Sequence, residues 1–510
     1  MTVPTIEGVW RAKPRTGAAV AIAGLMTLVG YALLAMLAAP DAAKLLGGRE
    51  GLVRPLRVAL PLVLLAVWVL VLMRHEARRA AAALAIGSGC FLVYAHLLLP
   101  ATDNVVAARG CVEAATALIR YGPTTAAPAP PSTPSDSASG SAPASGPVSP
   151  AGGMFVAPRC PVAEAAAMAP LGWIADGLVT RAKPPAQRRE RLVDAVADVC
   201  AAVAVALLYI AARRLGADAR LATAGALILG LCTPHLSLHA GGLWTHNVSG
   251  TLILAALVLA LPNGSDPSTA ASAWSGALTA LAAATRPTAL VLAVLPLLVV
   301  GARRRFALLP WLLAFGGVLG VAMTASRAAF GTLLPHDPDF HLVAFALGPW
   351  ARAAGALLLS PNRGLLFVTP VFLFSLAGAA LGIARSDGWK RLFYVAAAIC
   401  CAALLALAGA TDRWWDGAGF GPRVLADLFP LLALLLLPAV QWLLGAPSWS
   451  RIAGSGLLVM AIAASAFTAW RGATAPGTRE WNVKPPASQE RAWDWSDIQA
   501  LRQPGHPRGL

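Results

Sequence analysis

The chain has 510 residues, 57% of them hydrophobic and only 13% charged, whereas a soluble domain carries about 25% charged residues. That balance excludes a soluble enzyme and points to an all-α polytopic membrane protein. The formal net charge of +16 does not mark a nucleic-acid binder, because Arg and Lys gather in short clusters at 11–15, 74–79, 213–220, 303–305 and 385–391.

A membrane-crossing helix needs about 20 mostly apolar residues, and about 13 stretches qualify. In chain order they lie near 17–38, 55–73, 80–99, 192–212, 220–238, 247–262, 270–285, 287–302, 306–325, 364–384, 391–409, 424–445 and 452–470. The pair at 270–285 and 287–302 is short and is split by Arg286-Pro287. No cleavable signal peptide is expected, since the first apolar run is span-length and lacks a cleavage pattern. With the N-terminus in the cytoplasm, every basic cluster falls inside, as the positive-inside rule requires. An odd number of spans then places the tail outside. The chain divides into N-terminal spans at 1–99, an outer loop at 100–190, the remaining bundle at 191–470 and an outer tail at 471–510.

The outer loop reads in three parts. Residues 103–121 and 161–179 have the pattern of amphipathic helices lying on the membrane, and the Pro/Ser/Ala-rich stretch at about 123–150 reads as a disordered tether. Cys111 and Cys160 both fall in this loop, where an external disulfide can persist. The other five cysteines sit in apolar runs and read as buried thiols. Neither an internal repeat nor a soluble domain is visible, so the chemistry belongs at the mouth of the bundle.

Polar residues inside or bordering spans are costly and mark function. They concentrate on the expected outer side. Asp103 follows the third expected span; it is a candidate general base, and equally an N-cap for the next helix. Trp244 and His246 lie in Leu243-Trp244-Thr245-His246, either as ligand contacts or as an aromatic belt. Arg286 follows Thr285, and a buried arginine must meet a carboxylate, a phosphate or carbonyls. Asn362 and Arg363 open another span in Ser360-Pro361-Asn362-Arg363-Gly364-Leu365.

Trp414-Trp415-Asp416-Gly417-Ala418-Gly419-Phe420-Gly421-Pro422-Arg423 combines an indole pair, three glycines and an arginine at a membrane boundary. Trp415, Asp416 and Asp427 are candidate substrate-lining residues. An Arg423–Asp427 pair at i, i+4 is the ordinary structural reading of those two. Three arginines at outer span boundaries together suit an anionic ligand, which a guanidinium grips with a planar fork of donors. His336-Asp337-Pro338-Asp339-Phe340-His341 has metal-binding residue types without a zinc spacing and reads as a solvated loop. The tail, with Trp481, Trp493 and Trp495, reads as a lid or brace.

Taken together, Thr102-Asp103, Leu243-Trp244-Thr245-His246, Thr285-Arg286-Pro287, Ser360-Pro361-Asn362-Arg363-Gly364-Leu365, Gly419-Phe420-Gly421-Pro422-Arg423 and the Arg491-Ala492-Trp493-Asp494-Trp495 tail resemble bacterial integral-membrane glycosyltransferases of the GT-C type that use polyprenyl-phosphate sugars. The resemblance runs from about residue 100 to the C-terminus. It implies a bundle of roughly 11 to 13 spans with two juxtamembrane helices in the first outer loop, and a catalytic aspartate there, at Asp103. His246, Arg286, Asn362, Arg363 and Arg423 are then the expected donor and phosphate contacts. A polyprenyl-phosphate sugar, an acceptor glycan, lipid or protein, and membrane lipids are the expected partners. No metal or other cofactor is expected. One base without a paired carboxylate suggests inversion. The alternatives are a transporter or flippase for lipid-linked sugars and an inactive binding member of the same fold. The expected location is the bacterial cytoplasmic membrane, with the site facing out.

Overall fold

The computed structural model describes residues 79–97, 185–239, 244–263, 266–330, 333, 346–415, 419–445, 448–482 and 487–505. It is all-helical, 81% helix, with no strand among the described residues. The helices are α1 (Arg79–Leu97), α2 (Pro185–Leu215), α3 (Ala219–Leu231), α4 (Thr245–Ala260), α5 (Thr269–Thr285), α6 (Ala289–Arg303) and α7 (Leu308–Phe330). They continue with α8 (Leu347–Leu359), α9 (Leu365–Val368), α10 (Leu373–Arg385), α11 (Gly388–Gly409), α12 (Phe429–Gly445), α13 (Ser448–Thr474) and α14 (Pro476–Glu480).

Among the described residues, four helical segments are long and apolar enough to cross a membrane: Arg305–Arg327, Gly388–Gly409, Arg423–Gly445 and Trp449–Thr474. They match the last apolar runs of the sequence closely, apart from 364–384. The expected spans at 17–38 and 55–73 and both amphipathic helices of the outer loop lie outside the described residues. Two expected continuous spans are broken. The run at 220–238 stops at Leu231, then resumes as one π-helical turn, His235–His239. The run at 364–384 splits into α9, a 3₁₀ turn at Pro370–Phe372 and α10. In both cases a proline, Pro234 or Pro370, removes a backbone donor and crowds the preceding turn. The break at Arg286 is where the sequence puts it. Arg286 is extended, with φ −147 and ψ 117, as a residue before proline must be.

The bundle has an inside and an outside. Helix α12 is buried along most of its length and packs against α10, α3 and α2. Helices α10 and α12 approach closely at Gly378, where a Cβ would stand 1.9 Å from the Leu435 carbonyl oxygen. By contrast, α7 and α13 turn large apolar side chains outward, including Leu313 at 66% and Ile452 at 75% exposure. Such belts are stable against lipid and costly in water. Contacts between segments gather the boundary residues at two ends. One end holds the start of α4, the α5–α6 break, the start of α12 and the tail. The other holds the α2–α3 turn, the α10–α11 turn and the end of α12.

Candidate functional site

At the first end, the α5–α6 break presents Arg286 to two other segments. Its Nε lies 3.0 Å from Asp427 Oδ2, with the two side chains 5% and 3% exposed. Nε also donates to Thr288 Oγ1 at 2.9 Å, and the Thr288 hydroxyl donates to Asp427 Oδ2 at 3.1 Å. On its other side, Nη1 donates to Thr245 Oγ1 at 3.3 Å and meets His246 Nδ1 at 2.8 Å. An arginine only donates, so Nδ1 is the acceptor. His246 is therefore neutral, with its proton on Nε2. This tautomer is assigned from the hydrogen-bond network.

The pairing extends beyond the i, i+4 reading. Asp427 reaches across to Arg286, 3.0 Å away, from a segment, Arg423–Leu428, that forms a 3₁₀ helix. Three residues per turn bring i and i+3 onto one face and carry i+4 about 120° away. Arg423 lies over the Trp244 ring, 4.4 Å from its centroid, and Trp244 stacks near His246 with ring centroids 6.0 Å apart. His246, Trp244, Arg286, Arg423 and Asp427, drawn from three places in the sequence, thus form one cluster.

Asn362 and Arg363 do something else. They were expected to contact donor phosphate, and here they hold the tail. Arg363 is 2% exposed. Its Nε donates to the Trp415 carbonyl at 2.9 Å, Nη1 to Gln499 Oε1 at 3.0 Å and to the Gly419 carbonyl at 3.3 Å, and Nη2 to Asn482 Oδ1 at 2.7 Å. Its guanidinium also lies over the Trp481 ring at 4.8 Å. Asn362 donates to the carbonyls of Arg491 and Asp494 at 2.8 and 3.1 Å, and its Oδ1 accepts from Gln499 N–H at 2.6 Å. The physical reason is proximity: a guanidinium has a fixed set of donors, and fixed carbonyls and amides lie within their reach.

The tail is itself ordered by charge. Asp497 pairs with Arg491 at 2.7 Å and Arg502 at 2.8 Å, and its carbonyl accepts from the Trp481 indole N–H at 2.9 Å. The Ser496 hydroxyl donates to Asp494 at 2.6 Å. That bond, with help from nearby backbone N–H groups and Arg491, holds the Asp494 carboxyl below its ordinary range.

The two clusters meet at residues 419–423. A Cβ on Gly419 would stand 3.0 Å from Arg423 Cδ and 2.6 Å from Leu238 Cδ2. Gly421 has φ +66, donates its N–H to Gln499 Oε1 at 3.2 Å, and leaves 3.1 Å between a built Cβ and Val368. Gly421→Ala is expected to cost about 1–2 kcal/mol from the left-handed backbone alone, read as a lower unfolding midpoint. An unchanged midpoint would mean the segment relaxes freely.

Trp415 is half-buried, with its carbonyl fixed by Arg363. Asp103, Asp416, the Cys111–Cys160 pair and the 336–341 histidines lie outside the described residues. Among the described residues no group of three His, Cys, Asp or Glu side chains is placed to hold a metal. The sequence reading missed Gln499 and Asn482, whose role depends on contacts across more than a hundred residues. It also missed Asp198, a carboxylate 6% exposed on α2. Asn247, next to His246, donates to the carbonyl of neighbouring Ala197 at 3.4 Å, so Asp198 sits one residue from this cluster's edge. An acid inside an apolar run was the available signal.

No protein-family model, no curated protein and no solved structure matches the chain.

Proposed function

We propose that this protein is a membrane glycosyltransferase of the GT-C type, moving a sugar from a polyprenyl-phosphate donor to an acceptor hydroxyl at the outer face of a bacterial cytoplasmic membrane. The observation that supports this reading most is Arg423 over Trp244, beside the buried Arg286–His246–Asp427 cluster, at one end of an apolar bundle. In this reading Arg286 is held by Asp427 and orders His246 and Thr245. Arg423 meets the phosphate, whose charge grows as the sugar departs, and a preorganised cation there lowers the barrier. The flat indole of Trp244 offers an apolar surface beside a polar handle.

Asp103 is the proposed base: it takes the acceptor's proton as the oxygen attacks the anomeric carbon and the lipid phosphate leaves. One carboxylate acting alone inverts the configuration. The sugar donor's single phosphate needs no metal in this scheme.

The test is transfer from a panel of radiolabelled polyprenyl-monophosphate sugars in membranes, with wild type, Asp103→Asn and Arg423→Gln. Loss of a general base costs about 100-fold or more, so Asp103→Asn is expected to insert normally and transfer almost nothing. Full activity of Asp103→Asn removes it from the mechanism. Lipid-phosphate binding without transfer by wild type replaces this reading with a transporter or an inactive binding protein.

A further inference from the structure

At the far end of the bundle from this cluster, a cavity of about 350 Å³ opens between the α2–α3 turn, the end of α10, the start of α11 and the last turns of α12. Its size falls within the range of about 300–1,000 Å³ typical of small-molecule sites. The polar lining is Arg385, Ser386, Lys390, Tyr394 and Gln441, with Trp442 beside them and no carboxylate among the lining residues.

The cations here differ from the others at this end. Arg213 donates to the Ala217 carbonyl at 2.8 Å, Arg214 to the Leu261 carbonyl at 3.0 Å, and Arg303 pairs with Asp266. Asp218 caps α3 by accepting from Leu221 N–H at 2.7 Å. Among the described residues, Arg385 and Lys390 make no ion pair and no side-chain hydrogen bond. Lys390 has only the neighbouring Trp389 ring, 5.9 Å from Nζ. Gly216 makes room for it: φ is +107, and a Cβ there would stand 3.0 Å from Lys390 Nζ.

Two like charges facing one confined space repel, and an anion between them turns the repulsion into two attractions. A phosphate suits the rest of the lining, since guanidinium, ammonium, hydroxyl and amide groups all donate to its oxygens. Basic pockets between membrane helices favour lipid headgroups for the same reason. Trp442, at the cavity's edge, is 39% exposed, an apolar flank for an acyl chain. We propose that this cavity binds a phosphate group, held between Arg385 and Lys390. The proposal is independent of sugar transfer.

The test follows the unfolding midpoint of the full-length protein in neutral detergent during titration with short-chain phosphatidylglycerol, phosphatidylcholine or inorganic phosphate. A ligand that binds only the folded state raises the midpoint. Phosphatidylglycerol is expected to raise it and phosphatidylcholine to leave it unchanged. The Arg385→Gln/Lys390→Gln variant is expected to bind phosphatidylglycerol at least about tenfold more weakly, the size of one lost charge-assisted bond. Gln441→Glu, a single change that sets an anion in the lining, is expected to weaken binding as well. An equal, variant-sensitive response to inorganic phosphate assigns the site to a soluble phosphate compound, and a response confined to phosphatidylglycerol assigns it to lipid. Wild-type affinity in both variants, or no response to any phosphate, overturns the proposal.

Discussion

Arg286→Met is expected to destabilise the protein by about 3–5 kcal/mol, the cost of stranding one member of a buried ion pair. Asp427 is 4% exposed and would keep only the Thr288 hydroxyl from the present set of Arg286-linked contacts. His246 and Thr245 would lose their shared donor at the same moment. The double change Arg286→Met/Asp427→Leu is expected to recover most of the loss, because removing both charges also removes their desolvation cost. Unfolding midpoints of wild type, the two single variants and the double variant form a complete cycle. Equal melting of wild type and Arg286→Met would show that the pair contributes nothing. In the transfer assay the double variant is expected to remain inactive even when stable, which separates holding the bundle together from ordering the site.

Arg363→Ala is expected to release the tail rather than unfold the bundle. Hydrogen bonds to a charged group contribute about 1.5–3 kcal/mol each, and the contacts to Trp415, Gln499 and Asn482 would go together. A combined loss above about 3 kcal/mol is enough to populate an undocked tail. Limited proteolysis and hydrogen exchange should then report fast cleavage and exchange across 487–505, with helix α12 still protected. Arg363→Lys is not expected to rescue docking, because an ammonium cannot reach carbonyls in several directions with a planar fork. Tail protection identical to wild type in Arg363→Ala would refute the clamp. Asn362→Ala is expected to act in the same direction with a smaller effect, since its partners are also tail groups.

The clamp gives the tail a route to the site. Gln499 accepts from both Arg363 and the Gly421 N–H, and Gly421 stands two residues before Arg423. A docked tail therefore fixes the backbone from which Arg423 reaches Trp244.

Much of the architecture was legible in sequence because it depends on local, periodic quantities. Apolar runs of span length gave the last membrane helices almost residue for residue, apart from 364–384, since hydrocarbon thickness sets their length and the backbone must close its hydrogen bonds internally. Arg286-Pro287 placed the α5–α6 break for the same kind of local reason. The tail's tryptophans suggested burial against the rest of the chain, and of the three only Trp481 is buried, with Trp493 and Trp495 at 44% and 59% exposure.

Partner choice was not legible. Asp427 is four residues from Arg423 and 141 from Arg286, yet its carboxylate reaches the distant one across the bundle. Arg363 carries the same residue type at the same kind of boundary as Arg423, but the Trp415 and Gly419 carbonyls and the tail amides of Asn482 and Gln499, 52 to 136 positions away, reach it. Arg385 and Lys390 looked like topology signals until the helix ends around them enclosed a cavity. Composition and periodicity determined that this chain is a helical bundle with helices apolar enough to cross a membrane, and where several of them begin and end. Only the tertiary structure decided which arginine meets which acceptor, because a charge finds its partner by distance through space and a sequence records only distance along the chain.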